Sequence, residues 1–138
     1  MDALLALHRR SRRTVVGLMS GTSLDGVDAA LVQLDGSGPD LTMDPEAFVH
    51  IPYPTALRDL IRTNTDPASS SVQDVTRLDP RLAETHAAAV DRVAAEADVD
   101  RGTADLVAAP GQTVCHLPDL AACAGKDARA APQPGHPS

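Results

Sequence analysis

Thr14 to Leu34 is the stretch that most narrows the folds open to this chain. Two apolar runs, Val15-Val16-Gly17-Leu18-Met19 and Val27-Asp28-Ala29-Ala30-Leu31-Val32, flank Ser20-Gly21-Thr22-Ser23-Leu24-Asp25-Gly26. Runs this short and this rich in Val and Leu suit buried strands, and the Gly, Ser and Asp between them suit a tight turn. The expectation is a β-hairpin with a polar, glycine-bearing tip. Such a tip has the chemistry of a phosphate cradle. Gly21 and Gly26 permit close backbone approach. Exposed N–H groups and the hydroxyls of Thr22 and Ser23 can donate to phosphate oxygens. Asp25 and Asp28 are carboxylates of the kind that a phosphate-bridging Mg²⁺ takes. An ordinary hairpin turn uses the same residue types, and spacing alone does not separate the two.

A chain of 138 residues buries one modest core. With one Phe, one Tyr and no Trp, that core must come from Leu, Val, Ile and Ala. Alanine adds little buried area, so stability per residue should be low. The net charge of -7 argues against nucleic acid as a general partner. It does not oppose a nucleotide, because phosphate sites use local donors and Mg²⁺. Two Cys make no disulfide framework in a chain this long, which points to a reducing cytoplasm. No apolar run approaches the roughly 20 residues that span a bilayer. The apolar Met1 to Leu7 precedes the basic His8-Arg9-Arg10-Ser11-Arg12-Arg13, the reverse of a secretory signal. Residues 1–13 therefore read as a flexible basic lead-in.

Beyond the hairpin, Asp35 to Asp40 is a turn. Leu41 to Ile51 reads as a third strand with Phe48, Val49 and Ile51 as its apolar content, although Pro45 counts against its first part. Pro52-Tyr53-Pro54 stops that strand. Pro54 suits the opening of a helix over 55–63, where Leu57, Leu60 and Ile61 recur at helical spacing. Ser71 suits the cap of a second helical segment. There Val75, Leu78, Leu82, Ala89, Val93 and Ala97 form one apolar stripe. Pro80 predicts a break, with a short helix over 72–77 and a long one over 80–97. His86 reads as a helix-face residue rather than a ligand or base.

Asp105 to Ala109 reads as a buried strand after a helix, as in an α/β domain. It runs into the loop Pro110 to Pro118, at the strand end where open α/β sheets place ligands. Gln112, Thr113 and His116 are candidate contacts there, and they equally suit an exposed turn. Asp119 to Ser138 is Ala-rich and carries Pro132, Pro134 and Pro137 without a usable period. It reads as a disordered or degenerate tail.

The contiguous string Gly17-Leu18-Met19-Ser20-Gly21-Thr22-Ser23-Leu24-Asp25-Gly26-Val27-Asp28 resembles the N-terminal signature of anhydro-N-acetylmuramic acid kinases. These are bacterial enzymes that recycle peptidoglycan sugars. The resemblance runs from about Thr14 to Pro118, with Gly111-Gln112-Thr113 as a second anchor. It implies the fold of the sugar kinase, Hsp70 and actin superfamily, in which two ribonuclease-H-like lobes close around ATP. Residues 14–118 would be part of the N-terminal α/β lobe. The implied reaction uses ATP, Mg²⁺ and water. The 1,6-anhydro ring of anhydro-N-acetylmuramic acid opens and its 6-hydroxyl is phosphorylated, giving N-acetylmuramic acid 6-phosphate. The implied partners are the amino sugar and ATP, with no nucleic acid or membrane, and a homodimer for the full-length family.

Carried over by position, Gly21, Thr22, Ser23, Leu24, Asp25, Gly26, Val27 and Asp28 would form the ATP-phosphate loop. Ser20 stands where the wider superfamily often carries Asp, which leaves Asp25 to anchor Mg²⁺. Gln112 and Thr113 would lie near the sugar. Two departures stand out. Pro110 occupies the place of a family His. Pro132 and Pro134 fall where the family continues with a Leu-rich strand, and His136 replaces an acidic residue. The family's general base lies past the last residue, so no catalytic residue is assigned within the chain. The expectation is a truncated, weakly active or inactive kinase, and the alternative is a non-catalytic nucleotide-binding or assembly module. A zinc set of Cys115, His116, Cys123 and His136 matches no tight ligand spacing. Cys115 and His116 would point to opposite faces of a strand, so Cys115 reads as a bystander thiol.

Overall fold

The computed structural model describes residues 5–7, 9–115, 117–123 and 126–130. In chain order its elements are β1 (Arg12–Met19), β2 (Gly26–Asp35), β3 (Thr42–Pro52), α1 (Thr55–Thr65), α2 (Val72–Glu96) and β4 (Leu106–Ala108). A separate antiparallel pair follows, β5 (Leu117–Cys123) with β6 (Lys126–Ala130). The first four strands make one sheet in the order β3-β2-β1-β4. β1 and β2 form the expected hairpin, with Val16 opposite Leu31 and Leu18 opposite Ala29. β4 returns parallel to β1, placing Val107 beside Val16. A mixed sheet of this kind with helices following its third strand is the ribonuclease-H-like α/β lobe anticipated above.

Strand alternation explains the core. Val16, Leu18, Val27, Ala29 and Leu31 are buried on one face of the sheet, where Leu57 and Ile61 of α1 and Leu78, Leu82, Ala89 and Val93 of α2 join them. Small side chains at Ala29 and Ala89 suit close packing of helix on sheet, and both are fully buried. Each fully buried Leu or Val contributes roughly 1.5–3 kcal/mol. Ser71 caps α2 as expected, its Oγ accepting from the Asp74 N–H at 3.1 Å.

Several local expectations give way to tertiary context. α2 runs unbroken through Pro80. Leu78 and Leu82 lie one turn apart on either side of it, and both are fully buried. Their shared burial holds the helix through the one residue that cannot donate a backbone hydrogen bond. β3 likewise runs through Pro45. It is an edge strand, and Leu31 faces Ala47 while Val32 faces Pro45, so Glu46 is the extra residue of a bulge. Phe48, part of the strand's apolar content, is 64% exposed. Ala47, Val49 and Ile51 face the core in its place.

β4 is an exposed edge rather than a buried strand, with Leu106 and Val107 both partly in solvent. β1 begins at Arg12, inside the expected lead-in. There Arg10 pairs with Asp105 and Arg13 donates to the Gly36 carbonyl. β5 and β6 occupy residues for which the sequence pattern suggested no regular element past 118. His86 faces inward at 5% exposure, with Nδ1 2.7 Å from its own helix's Leu82 carbonyl. Among the described residues no helix is long and apolar enough to cross a membrane.

Candidate functional site

The loop between β1 and β2 is built by alternating anchored and free residues. Leu24 is buried with φ 55, a left-handed conformation that costs a non-glycine residue on the order of 1–3 kcal/mol. Its side chain joins the core cluster, which offsets that cost. The Leu24 N–H donates to the Gly21 carbonyl at 3.3 Å and closes the turn. The Tyr53 N–H donates to the Asp25 carbonyl at 3.0 Å and ties the far side of the loop to the end of β3. Thr22, Ser23 and Asp25 are left exposed at the tip.

The segment after β4 approaches this tip. Gly111, with φ 72, turns the chain so that Gln112 points into the core. Thr113 follows on the open side. Thr22 and Leu24 of the loop and Thr113, Val114 and Cys115 of this segment line one cleft of about 280 Å³, with Thr65 at the end of α1. That volume lies just below the usual range for small-molecule sites and suits a phosphate group or two. A second cavity of about 240 Å³ lies between α2 and the β1–β4 edge. Its walls are Leu18, Ala83, Ala87 and Val90 with His86 and Arg101, and Arg101 is committed to Asp91 at 2.9 Å. The first cleft therefore has the better donor set for an anion.

The structure thus brings together Thr22 and Thr113, which the sequence reading assigned to two different ligand groups. It gives the neighbouring loop residues other work. Leu24 and Val27 are core residues. Gly26 presses against β3 rather than opening toward the cleft. Asp28 pairs with His50, with Nδ1 and Oδ1 2.8 Å apart. Gln112 is fully buried. Cys115 is a half-buried free thiol on the cleft wall. His116 and His136 lie outside the described residues, as does the side chain of Cys123. Among the described residues no three His, Cys, Asp or Glu side chains gather as a metal set.

Asp25 is the carboxylate at the exposed tip. Ser23 donates to it at 2.7 Å, and this hydroxyl, then backbone N–H groups, hold its carboxyl below the ordinary range. It is ionised at neutral pH. One carboxylate suits Mg²⁺ bound mainly through phosphate oxygens and water.

Sequence reasoning missed Tyr53 and Thr65 as parts of the site, and it did not foresee the interior partners of Ser20. Tyr53 read only as a strand stop. Its one signal was that the chain's single tyrosine sits between two prolines. Its hydroxyl lies against Ser20 Oγ in the interior, and burial, the largest influence, pushes its pKa up. The Ser20 hydroxyl opposes that shift and the Asp25 charge adds to it.

The family model for anhydro-N-acetylmuramic acid kinase matches residues 13–125. An anhydro-N-acetylmuramic acid kinase of Salinibacter ruber is 90% identical over 138 residues, all of this chain and 35% of that protein. One of Caldanaerobacter subterraneus is 35% identical over 138 residues, again 35% of its length. One of Acaryochloris marina is 43% identical over 104 residues, which is 75% of this chain and 27% of that protein. The chain spans about a third of the length of these curated relatives. With the family model matched over most of its residues, this chain belongs to the anhydro-N-acetylmuramic acid kinase family.

Proposed function

We propose that this chain supplies the ATP-phosphate loop, and one wall of the facing cleft, of a kinase acting on 1,6-anhydro-N-acetylmuramic acid. The observation that carries the reading is the shared cleft of Thr22 and Thr113. In the proposed reaction ATP and water convert the anhydro sugar to N-acetylmuramic acid 6-phosphate, with ADP as the leaving group. Thr22 and the exposed N–H groups beside Gly21 donate to phosphate oxygens, while the Ser23 hydroxyl stays on Asp25. Asp25 shares a Mg²⁺ that neutralises phosphate charge when it is bound. Thr113 faces the transferred group from the opposite wall. We assign no general base among these residues. The setting we propose is the cytoplasm, with a homodimer as the full-length assembly.

A non-catalytic nucleotide-binding module is the second reading. It is favoured by the absence of any Asp or Glu among the described residues that line the cleft. Calorimetry with Mg-ATP, Mg-pyrophosphate and adenosine tests what the two readings share. Binding of the first two with little binding of adenosine supports the phosphate loop. Adenosine binding as tight as Mg-ATP overturns it. Transfer of labelled γ-phosphate to the anhydro sugar then separates kinase from module.

A further inference from the structure

Gln112 is fully buried, and each polar atom of its side-chain amide has a protein partner. Its Oε1 accepts from Ser20 Oγ, which in turn accepts from the Tyr53 hydroxyl, and that hydroxyl lies 3.3 Å from Oε1. Its Nε2 donates to the Gly21 carbonyl at 3.3 Å and to the Thr113 carbonyl at 3.1 Å. Both N–H donors of the amide are taken and its oxygen holds Ser20, and at 0% exposure none of these atoms is open to solvent.

Tyr53 closes the arrangement. Its hydroxyl meets Ser20 Oγ at the first residue of the loop, and its N–H holds the Asp25 carbonyl near the last. Ser20, Tyr53 and Gln112 come from three separate segments and are 8%, 5% and 0% exposed. A satisfied polar network in a low-dielectric interior rigidifies the groups that it joins. The groups joined here are the two loops that carry Thr22 and Thr113.

We infer that Ser20, Tyr53 and Gln112 form a buried clasp that sets the separation of Thr22 from Thr113. Tyr53 and Gln112 are thus positioning residues for the anion site, not contacts to it. The inference rests on the phosphate reading of the cleft only for its consequence, since the clasp itself is a mechanical link. It also gives Ser20 a task other than holding metal. Its hydroxyl is spent on Tyr53 and Gln112, leaving the exposed Asp25 as the carboxylate for Mg²⁺.

Tyr53→Phe deletes one hydroxyl and keeps the ring, so the core stays filled. Amide hydrogen exchange on the whole chain reads the link, and Mg-pyrophosphate affinity reads its consequence. The expected result is an exchange increase of about tenfold at both Gly21 to Asp25 and Gln112 to Val114. Core amides of α2 should hold their rates. Pyrophosphate affinity should fall about fivefold, the size of a lost neutral hydrogen bond. Ser20→Ala should repeat the effect, and Ser20→Thr, which keeps the hydroxyl, should restore most of it. Faster exchange at one loop alone, or equally across α2, would overturn the clasp. Coupled loosening in a protein that binds no pyrophosphate would support the clasp and overturn the phosphate reading alone.

Discussion

Gly26 packs so closely on Ile51 that a Cβ added to it would stand 2.2 Å from the Ile51 carbonyl oxygen. Pro52 Cα would lie 2.8 Å away, so the conflict is with backbone that cannot swing aside. The glycine is required by the pairing of β2 with β3, where Gly26 sits opposite Pro52.

Gly26→Ala should therefore cost about 1–3 kcal/mol through overpacking. Because Gly26 begins β2, the variant should also displace the β1–β2 loop and, on the proposed function, weaken Mg-ATP binding. Gly21→Ala is the contrast. An added Cβ there meets nothing nearer than 3.6 Å, so stability should change by under about 1 kcal/mol. Urea denaturation of both variants checks the difference.

Pro80 interrupts the hydrogen-bond ladder of α2 without ending the helix. Pro80→Ala returns an N–H to an exposed helical position. It should stabilise the protein by about 1–3 kcal/mol, a proline's penalty less some relaxation already present. A raised urea midpoint with unchanged slope is the expected outcome. A lowered midpoint would mean that the proline shapes a bend on which packing depends.

Tyr53 offers a direct reading of the interior at alkaline pH. It is the chain's one tyrosine, so tyrosinate absorbance reports on it alone. Its folded pKa is raised above 10.0, chiefly by burial. A raised pKa means that the folded state holds its proton longer than the unfolded state does. The resulting stability is full below about pH 10 and is lost as pH rises through the folded value. Absorbance should thus appear later than in the urea-unfolded chain, and the folded protein should weaken over that window.

Asp25 behaves in the opposite sense. Its folded pKa lies below the ordinary 3.8, with Ser23 as the first cause. Whatever it contributes is present above that ordinary value and is lost as pH falls through the folded one. The side chain is in open solvent, so the readout is its own carboxyl carbon shift and not global stability. Ser23→Ala should move that titration upward. An unmoved curve would remove Ser23 from the account of the tip.

The hairpin and the helical stripe were legible because their signals are local. Val and Leu runs around a glycine turn need no distant partner to be read, and neither does Ser71 ahead of a helix. Pro80 was misread because its local preference yields to the burial of Leu78 and Leu82, which depends on the sheet beneath. The exposure of β4 follows from its place at the sheet edge, which composition does not show. Gln112 is legible as a residue of this neighbourhood, but its burial and its partners are not. Its partners Ser20 and Tyr53 lie 92 and 59 positions away, and no spacing rule joins them. Thr22 and Thr113 were each legible as candidates, but their common cleft appears only in three dimensions.

Titration of the isotope-labelled chain with Mg-ATP, followed by amide NMR, tests the central claim most directly. The account predicts saturable shifts at Gly21 to Asp25 and at Thr113 to Cys115, with the α2 amides unmoved. Saturation with no shift from Gly21 to Asp28 would contradict it.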